Sequence, residues 1–293
     1  MKHKYTFNDF IYTVPAFLIF CTVLLVPLIM SFVTSFASWN GVTNNIKFIG
    51  FDNYRYIFTK DAGSWTSMTF SFKFTFVCVI LTNFVALLLA LILTSQIHRG
   101  VASTLRVVFF LPNLVGGLIL GFIWRFIFLK VFPQLGQMIP VGFLTQPWLA
   151  TPDTAFWGSV IVFMWRNTGY VMLVYIASLN NIDSCLLESA VIDGASYFKV
   201  LFKIKIPLIV PAITSSLFLI ISRAFKLFDI IFSLTGGGPY GTTESYAYNI
   251  YYEAFKRNNY GLGSAKAVVF FLIVAAVSLL QVYVTKRKEV KYD

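Results

Sequence analysis

The side chains best suited to bind a ligand are charged, amide and aromatic residues that interrupt long apolar stretches of the chain. One group lies in the run Trp165–Tyr170 and a second in the run Phe225–Asp229. An ionisable group inside a membrane costs about 2.5–3.5 kcal/mol on insertion scales, so such groups are expected to face a bundle interior or water. Such a surface can bind a polar ligand, because amides and charges form hydrogen bonds with it while aromatic faces stack on its apolar parts.

We predict that these residues border a transient polar pocket near the middle of a membrane. The candidate residues of this substrate pathway are Arg166, Asn167, Tyr170, Phe225, Lys226, Phe228 and Asp229. Lys226 and Asp229 are three positions apart, so on one helix they share a face and are close enough to pair. Two interpretations of that pair stay open: it neutralises itself and orients the helix, or it lies beside the path of a solute.

A second candidate site is the short charged stretch Glu188–Ala195 (ESAVIDGA), which separates two apolar runs. Asp183 or Ser184 can cap a helix that extends from Leu186 to Phe202. Gly194 predicts a turn between two helical pieces, because glycine accepts a left-handed backbone at little cost. Two uses of this insert are considered: an interfacial helix that its lysines hold against anionic head groups, or a docking surface for a partner.

The composition indicates that the main solvent of this protein is lipid. The chain has 293 residues, of which 58% are hydrophobic and 12% charged, whereas a soluble domain has roughly 25% charged residues. The net charge of +11 is therefore judged by where the charges lie along the chain. The scattered Cys21, Cys78 and Cys185 form neither a disulfide framework nor a metal-ligand spacing, so we predict no metal site.

Six apolar segments are long enough to cross a bilayer, which needs about 20 residues per helix. They are residues 11–36, 69–95, 105–129, 155–179, 209–234 and 265–285, and the insert is 180–207. We therefore predict an all-α integral membrane protein in which residues 1–293 form a single transmembrane domain. Of the Lys and Arg residues in the connections, eleven lie on one side and seven on the other, with Lys266 counted among the seven. The positive-inside rule then places both termini and the insert in the cytoplasm.

The insert resembles the cytoplasmic "EAA" loop of the permease subunits of ABC importers, with Ser189 where the family usually has Ala. The resemblance implies that the insert is a coupling helix that docks in a groove of a separate ATPase subunit. Its coupling residues are then Glu188, Ser189, Ala190, Asp193, Gly194 and Ala195. The chain contains no G-x-x-x-x-G-K-[ST] phosphate loop. We therefore expect a permease without catalytic residues or cofactors, with ATP and Mg²⁺ bound by the partner ATPase.

A second resemblance lies in the run Leu234–Pro239 (LTGGGP). It is similar to the end of the fifth core span in one of the two permeases of maltose- and glycerol-phosphate-type carbohydrate importers. Counting back from the insert, Arg166, Asn167 and Tyr170 match positions that line the sugar site in maltose-type permeases. The resemblance implies a second permease, ATPase subunits, an extracellular substrate-binding protein and a sugar or oligosaccharide substrate, in the cytoplasmic membrane of a bacterium or archaeon.

Two other classes of protein fit the sequence less well. An ion-gradient-driven secondary transporter with Asp229 as its coupling carboxylate would normally show inverted repeats, and none is found in the sequence. A membrane-embedded enzyme needs a metal cluster or a nucleophile with its base. The only histidines, His3 and His98, lie outside the predicted spans, so we predict that the chain is not an enzyme.

Overall fold

The computed structural model describes residues 7–95, 98–139 and 141–286. Within these residues the regular structure is helical apart from two short antiparallel strands, β1 (Ala37–Ser38) and β2 (Lys47–Phe48). The prediction of an all-α protein is confirmed. Five helices of the described residues are long and apolar enough to cross a membrane, or six if one bent pair counts as a single span.

The chain divides into two compact units. The first comprises the chain up to Ala62 together with Ile250–Leu272, and the second comprises Gly63–Asn249 with the chain from Ile273 onward. The N-terminal helices of the first unit are α1 (Phe7–Phe20), α2 (Val26–Thr34) and α3 (Asp52–Thr59), with the π-helical turn Cys21–Leu25 between α1 and α2.

The remaining helices form the second unit and the later segment of the chain that belongs to the first unit. They are α4 (Ala62–Leu93), α5 (Arg99–Leu114), α6 (Gly117–Phe126), α7 (Phe132–Met138), α8 (Gly142–Thr145), α9 (Pro152–Asn180), α10 (Ser184–Ile192), α11 (Tyr197–Val200), α12 (Ile206–Leu208), α13 (Val210–Phe225), α14 (Asp229–Leu234), α15 (Tyr246–Tyr251) and α16 (Tyr260–Lys286). Three π-helical turns, Ile127–Val131, Leu201–Lys205 and Tyr252–Lys256, continue α6, α11 and α15.

Helices α4 and α9 form the core of the second unit and run in the same direction. Phe74 of α4 packs edge-on against Phe156 and Phe163 of α9, with ring centroids 6.2 and 5.5 Å apart. About three turns further along both helices, the Tyr175 hydroxyl donates to Asn83 Oδ1. Ser216 Oγ of α13 donates to the same oxygen at 2.8 Å, so one buried polar contact joins three helices.

The predicted third span, 105–129, is not one continuous helix. Helix α5 ends at Leu114, Val115 and Gly116 have extended backbones with ψ of 129° and 136°, and α6 begins at Gly117. Pro112 near the end of α5 has no N–H to donate, which weakens the last turn. The sequence marked residues 105–129 as a span but gave no position for a break, because hydrophobic periodicity alone does not report one.

The predicted fifth span, 209–234, is also interrupted. Helix α13 ends at Phe225 and α14 begins at Asp229. Ser245 Oγ donates to the freed carbonyl of Leu227 at 2.5 Å. Non-helical backbone at membrane depth is tolerated where protein groups satisfy it in this way.

Lys266 is a buried charge within α16, which corrects its expected position in a connection. Its side chain is fully buried, and Nζ lies 2.8 Å from Asp61 Oδ2 and 3.1 Å from Glu253 Oε2. Glu253 also accepts from Arg257 Nη1 at 3.0 Å, although 61% of the Arg257 side chain is exposed. A buried cation is retained in a fold only when it is paired in this manner.

Replacement of Lys266 and replacement of Arg257 should lower the stability of the protein by different amounts. Lys266→Met leaves two buried carboxylates without their shared partner, so the free energy of unfolding should fall by about 3–5 kcal/mol. Arg257→Met removes an exposed partner of the same Glu253 and should cost about 0–1 kcal/mol. Thermal unfolding of the purified protein in detergent measures both, and equal melting temperatures for the two variants would contradict the assignment.

Candidate functional site

Asp229 pairs with Arg166, and not with Lys226 as the sequence predicted. Arg166 Nη1 of α9 donates to Asp229 Oδ2 at 3.0 Å. The helix break at residues 226–228 explains the correction, because Lys226 and Asp229 do not belong to the same helix. Lys226 is exposed, and within the described part of the chain its ammonium has no carboxylate within salt-bridge distance.

The two helix breaks meet at this ion pair. Gly117 is the first residue of α6 and Asp229 the first residue of α14. A Cβ atom on Gly117 would overlap Asp229 Oδ2 and lie 2.5 Å from Arg166 Nη1. The absence of a side chain at Gly117 therefore allows the carboxylate to reach the guanidinium. Sequence reasoning missed Gly117, because a glycine in an apolar run carries no signal of what approaches it.

A second cationic cluster surrounds Arg223 of α13. Its Nη1 donates to Asn167 Oδ1 at 2.8 Å and to Asn113 Oδ1 at 3.0 Å. The guanidinium carbon lies 5.0 Å from the centroid of the Tyr170 ring, in cation–π geometry. The structure thus brings together Asn167 and Tyr170, as predicted from the sequence, and adds Arg223 and Asn113. The amide of Asn113 inside an apolar stretch was the signal that could have found it.

The two predicted phenylalanines differ in their surroundings. Phe225 is buried and packs edge-on against Phe72, with ring centroids 5.1 Å apart, so it belongs to the core and lines no open space. Phe228 is half-buried in the helix break and stacks on Tyr248 at 6.2 Å. The partly open cluster therefore consists of two cations, one acid, two amides and aromatic rings.

The insert folds as the sequence predicts, into two short helices with a turn between them. Asp183 Oδ1 accepts from the Cys185 N–H at 3.0 Å and caps α10. Gly194 has φ of +73°, Gly194 N–H donates to Val191 O at 3.0 Å, and Ala195 N–H donates to Ala190 O at 2.9 Å. This pair of hydrogen bonds is the Schellman motif that ends helices at a left-handed glycine.

The surface of this insert is unusually apolar for its exposure. Glu188, Ser189, Asp193 and Gly194 are exposed, while Ala190 and Ala195 are half-exposed. Large apolar side chains beside them are between 62% and 85% exposed; these are Val191, Ile192, Tyr197, Phe198 and Phe202. At the end of the insert, the segments Tyr197–Leu208 and Val210–Phe225 meet at an angle of 65°.

Comparison with known proteins identifies the family. Residues 82–290 match the family described as "Binding-protein-dependent transport system inner membrane component". The chain belongs to this family. The permease is therefore a membrane transport component and not an enzyme, as the sequence predicted. Because transport in this family depends on a binding protein, membership favours the importer over a gradient-driven transporter.

Individual relatives cover nearly the whole permease. It is 43% identical to the probable starch degradation products transport system permease protein AmyD of Thermoanaerobacterium thermosulfurigenes, over 96% of this chain and 94% of that protein. It is 30% identical to the multiple sugar-binding transport system permease protein MsmF of Streptococcus mutans, over 92% of this chain and 96% of that protein.

A solved structure shares the fold of the permease. A chain of a bacterial ABC transporter involved in the import of the acidic polysaccharide alginate superposes with a TM-score of 0.82 at 20% identity. The match covers 95% of this chain and 94% of that chain. Likeness at this level of identity supports the all-α membrane architecture.

Because the ion pair lies over Gly117, substitution of Gly117 should destabilise the protein and substitution of the neighbouring Gly116 should not. Gly117→Ala places a methyl group against Asp229 and Arg166, so the pair must separate or α6 must shift, at a cost of about 1–3 kcal/mol. Gly116→Ala meets no atom within 4 Å and serves as the control. Melting temperatures of the purified permease should fall for Gly117→Ala alone. If Gly117→Ala melts at the wild-type temperature, the contact of Gly117 with the ion pair does not hold the two helix breaks together.

Proposed function

We propose that this permease is the membrane-spanning subunit of an ATP-driven importer that moves a sugar or oligosaccharide into the cytoplasm. Relatives that cover more than 90% of the chain are described as permeases for starch degradation products and for multiple sugars. The cluster around Arg166 and Arg223 has the chemistry that this substrate class requires, namely amides and charges for hydroxyl groups and aromatic faces for pyranose rings.

The substrate pathway runs past the two broken helices. Discontinuous helices whose ends meet at a polar site are a recurring way to build a transport site near the bilayer midplane. Here the breaks at residues 115–116 and 226–228 adjoin the Arg166–Asp229 pair. Because 26% and 38% of these two side chains are exposed, their polar atoms remain accessible to a solute. Tyr170, Lys226 and Phe228 complete the proposed border.

The exposure of the insert is the observation that supports coupling of transport to ATP. The two short helices of the insert have a mainly exposed apolar surface, and such surfaces mark sites of contact with a protein or a membrane. The lysines of the insert all follow Ala195, whereas Glu188–Ala195 contains two acids and no base, so this stretch is the part that anionic head groups would repel. We assign Glu188–Ala195 to the groove of an ATPase subunit, which supplies the site for ATP and Mg²⁺.

The assembly that follows has four kinds of subunit. A second permease completes the pathway, ATPase subunits dock on the insert, and an extracellular binding protein delivers the sugar. This arrangement requires the insert and both termini of this chain to lie in the cytoplasm, as the distribution of Lys and Arg residues indicates. The host membrane is then the cytoplasmic membrane of a bacterium or archaeon.

Transport follows from linkage between two conformations of the helix bundle. Closure of the ATPase dimer changes its contacts with the insert, and only this difference in contact energy can shift the bundle between inward-open and outward-open states. Helix α9 joins Arg166 to the start of the insert without a break. Movement of the insert therefore reaches the helix that holds the ion pair.

Two substitutions at Gly194 test the coupling. Gly194→Val places a β-branched residue in a left-handed backbone, so the turn should rearrange and re-aim α10. Gly194→Asn is the control, because asparagine tolerates this conformation and a Cβ there meets no atom within 4 Å. In proteoliposomes, Gly194→Val should abolish sugar uptake while the control retains it. Wild-type uptake by Gly194→Val at equal expression would contradict the docking role.

A double variant separates a structural ion pair from one that contacts substrate. Asp229→Asn alone leaves the Arg166 charge unpaired, so both stability and uptake should fall. Arg166→Gln combined with Asp229→Asn removes both charges and should restore the melting temperature. If the pair borders the pathway, sugar uptake by the double variant stays at least about tenfold below wild type, the factor of a lost charged hydrogen bond. Restored uptake would assign the pair to structure alone.

A further inference from the structure

A groove unconnected with the ion pair lies at the end of α4 and α9 that is farthest from the insert. It has a volume of about 470 Å³, and its lining includes Trp65, Thr66, Thr69, Lys73, Asp153 and Phe156. Because α4 and α9 run parallel, the first turns of both helices contribute to it. Nothing in the proposed transport cycle uses this groove.

Lys73 marks the membrane depth of the groove. The stretch Phe74–Leu93 that follows it in α4 contains no charged residue, and at 1.5 Å per residue its length is about 30 Å. That length matches the hydrocarbon core of a bilayer, so Lys73 lies at the boundary between hydrocarbon and head groups. Trp65 lies two turns above Lys73, where indole rings are enriched in membrane proteins.

The two charged residues of the groove, Lys73 and Asp153, are both exposed, and the Lys73 ammonium is positioned by a contact with an aromatic ring. Lys73 Nζ lies 4.7 Å from the centroid of the Phe156 ring, a cation–π contact that positions the ammonium. Among the described residues, no carboxylate lies within salt-bridge distance of this nitrogen. Thr69 Oγ1 donates to the Trp65 carbonyl at 2.9 Å, so its lone pairs are left to accept. Asp153 is exposed in the first turn of α9.

Below the groove, α4 presents a continuous apolar row to its surroundings. The exposed residues on this face stand four positions apart and are Phe76, Ile80, Phe84 and Leu88. Each is between 43% and 68% exposed. A polar groove at head-group depth above an exposed apolar row has the outline of a lipid, with room for the head group above and the acyl chains alongside the helix.

We propose that this groove binds the head group of a zwitterionic glycerophospholipid of the phosphoethanolamine type. Lys73 pairs with the phosphate. The Asp153 carboxylate and Thr69 Oγ1 accept hydrogen bonds from the primary ammonium. A purely anionic head group leaves Asp153 opposed to its charge. A free saccharide would fill the groove but leave the apolar row uncovered. The acyl chains of a phospholipid satisfy both parts of the surface.

The test is native mass spectrometry of the assembled transporter in detergent with added palmitoyl-oleoyl phosphatidylethanolamine. Lys73→Met should weaken lipid retention about fivefold, the factor for one cation at a lipid surface. Lys73→Arg keeps the charge and should bind within about twofold of wild type, which shows that the groove is folded. Lys130→Met removes an exposed lysine outside the groove and should change nothing.

Two comparison lipids test the head-group assignment. Phosphatidylcholine has the same charges but no ammonium N–H, and phosphatidylglycerol has only the negative charge, so both should bind less well than phosphatidylethanolamine. Asp153→Asn should reduce this preference. Tighter binding of phosphatidylglycerol, equal losses in Lys73→Met and Lys130→Met, or retention of a maltose-type oligosaccharide by the groove in place of lipid would each overturn the proposal. So would an assembled transporter that retains no lipid at all.

Discussion

The contact between Arg166 and Asp229, made over the bare backbone of Gly117, is the interaction on which the proposed pathway depends. It brings one residue from each of three elements to a single point: the long continuous α9 and the first residues of two helices that follow breaks. Unpaired charges are costly at membrane depth, so each partner stabilises the position of the other. The ion pair therefore fixes the first residues of α6 and α14 against α9.

Close approach without side chains recurs around this point and defines the packing of the second unit. A Cβ atom on Gly121 would overlap Ser233 Oγ, and one on Gly169 would overlap the Phe109 carbonyl oxygen. Small residues bring membrane helices together because lipid supplies no hydrophobic force between them, which leaves contact packing and hydrogen bonds as the main attractions. The same closeness lets the Arg223 guanidinium reach amides on two other helices.

One continuous helix joins the proposed pathway to the insert. Helix α9 continues for about 21 Å from Arg166 to Asn180, at 1.5 Å per residue, and the Asp183 cap starts α10 immediately beyond it. Between these points, Tyr175 is hydrogen-bonded to Asn83 and Ser216 on neighbouring helices. In the proposed transport cycle these hydrogen bonds link three helices, and packed connections of this kind can couple distant sites.

Local patterns in the sequence determined the class of the protein, the apolar helices, and the insert with its Asp183 cap and Gly194 turn. These features depend on residues within a few positions of one another, where propensity and capping act. Only the tertiary structure decided that Asp229 pairs with Arg166, that Asn113 joins Arg223, and that Lys266 is buried between two carboxylates. Such partners are distant along the chain, and the helix break that separates Lys226 from Asp229 depends on Ser245 of another segment. No local pattern encodes contacts that exist only once the helices have packed.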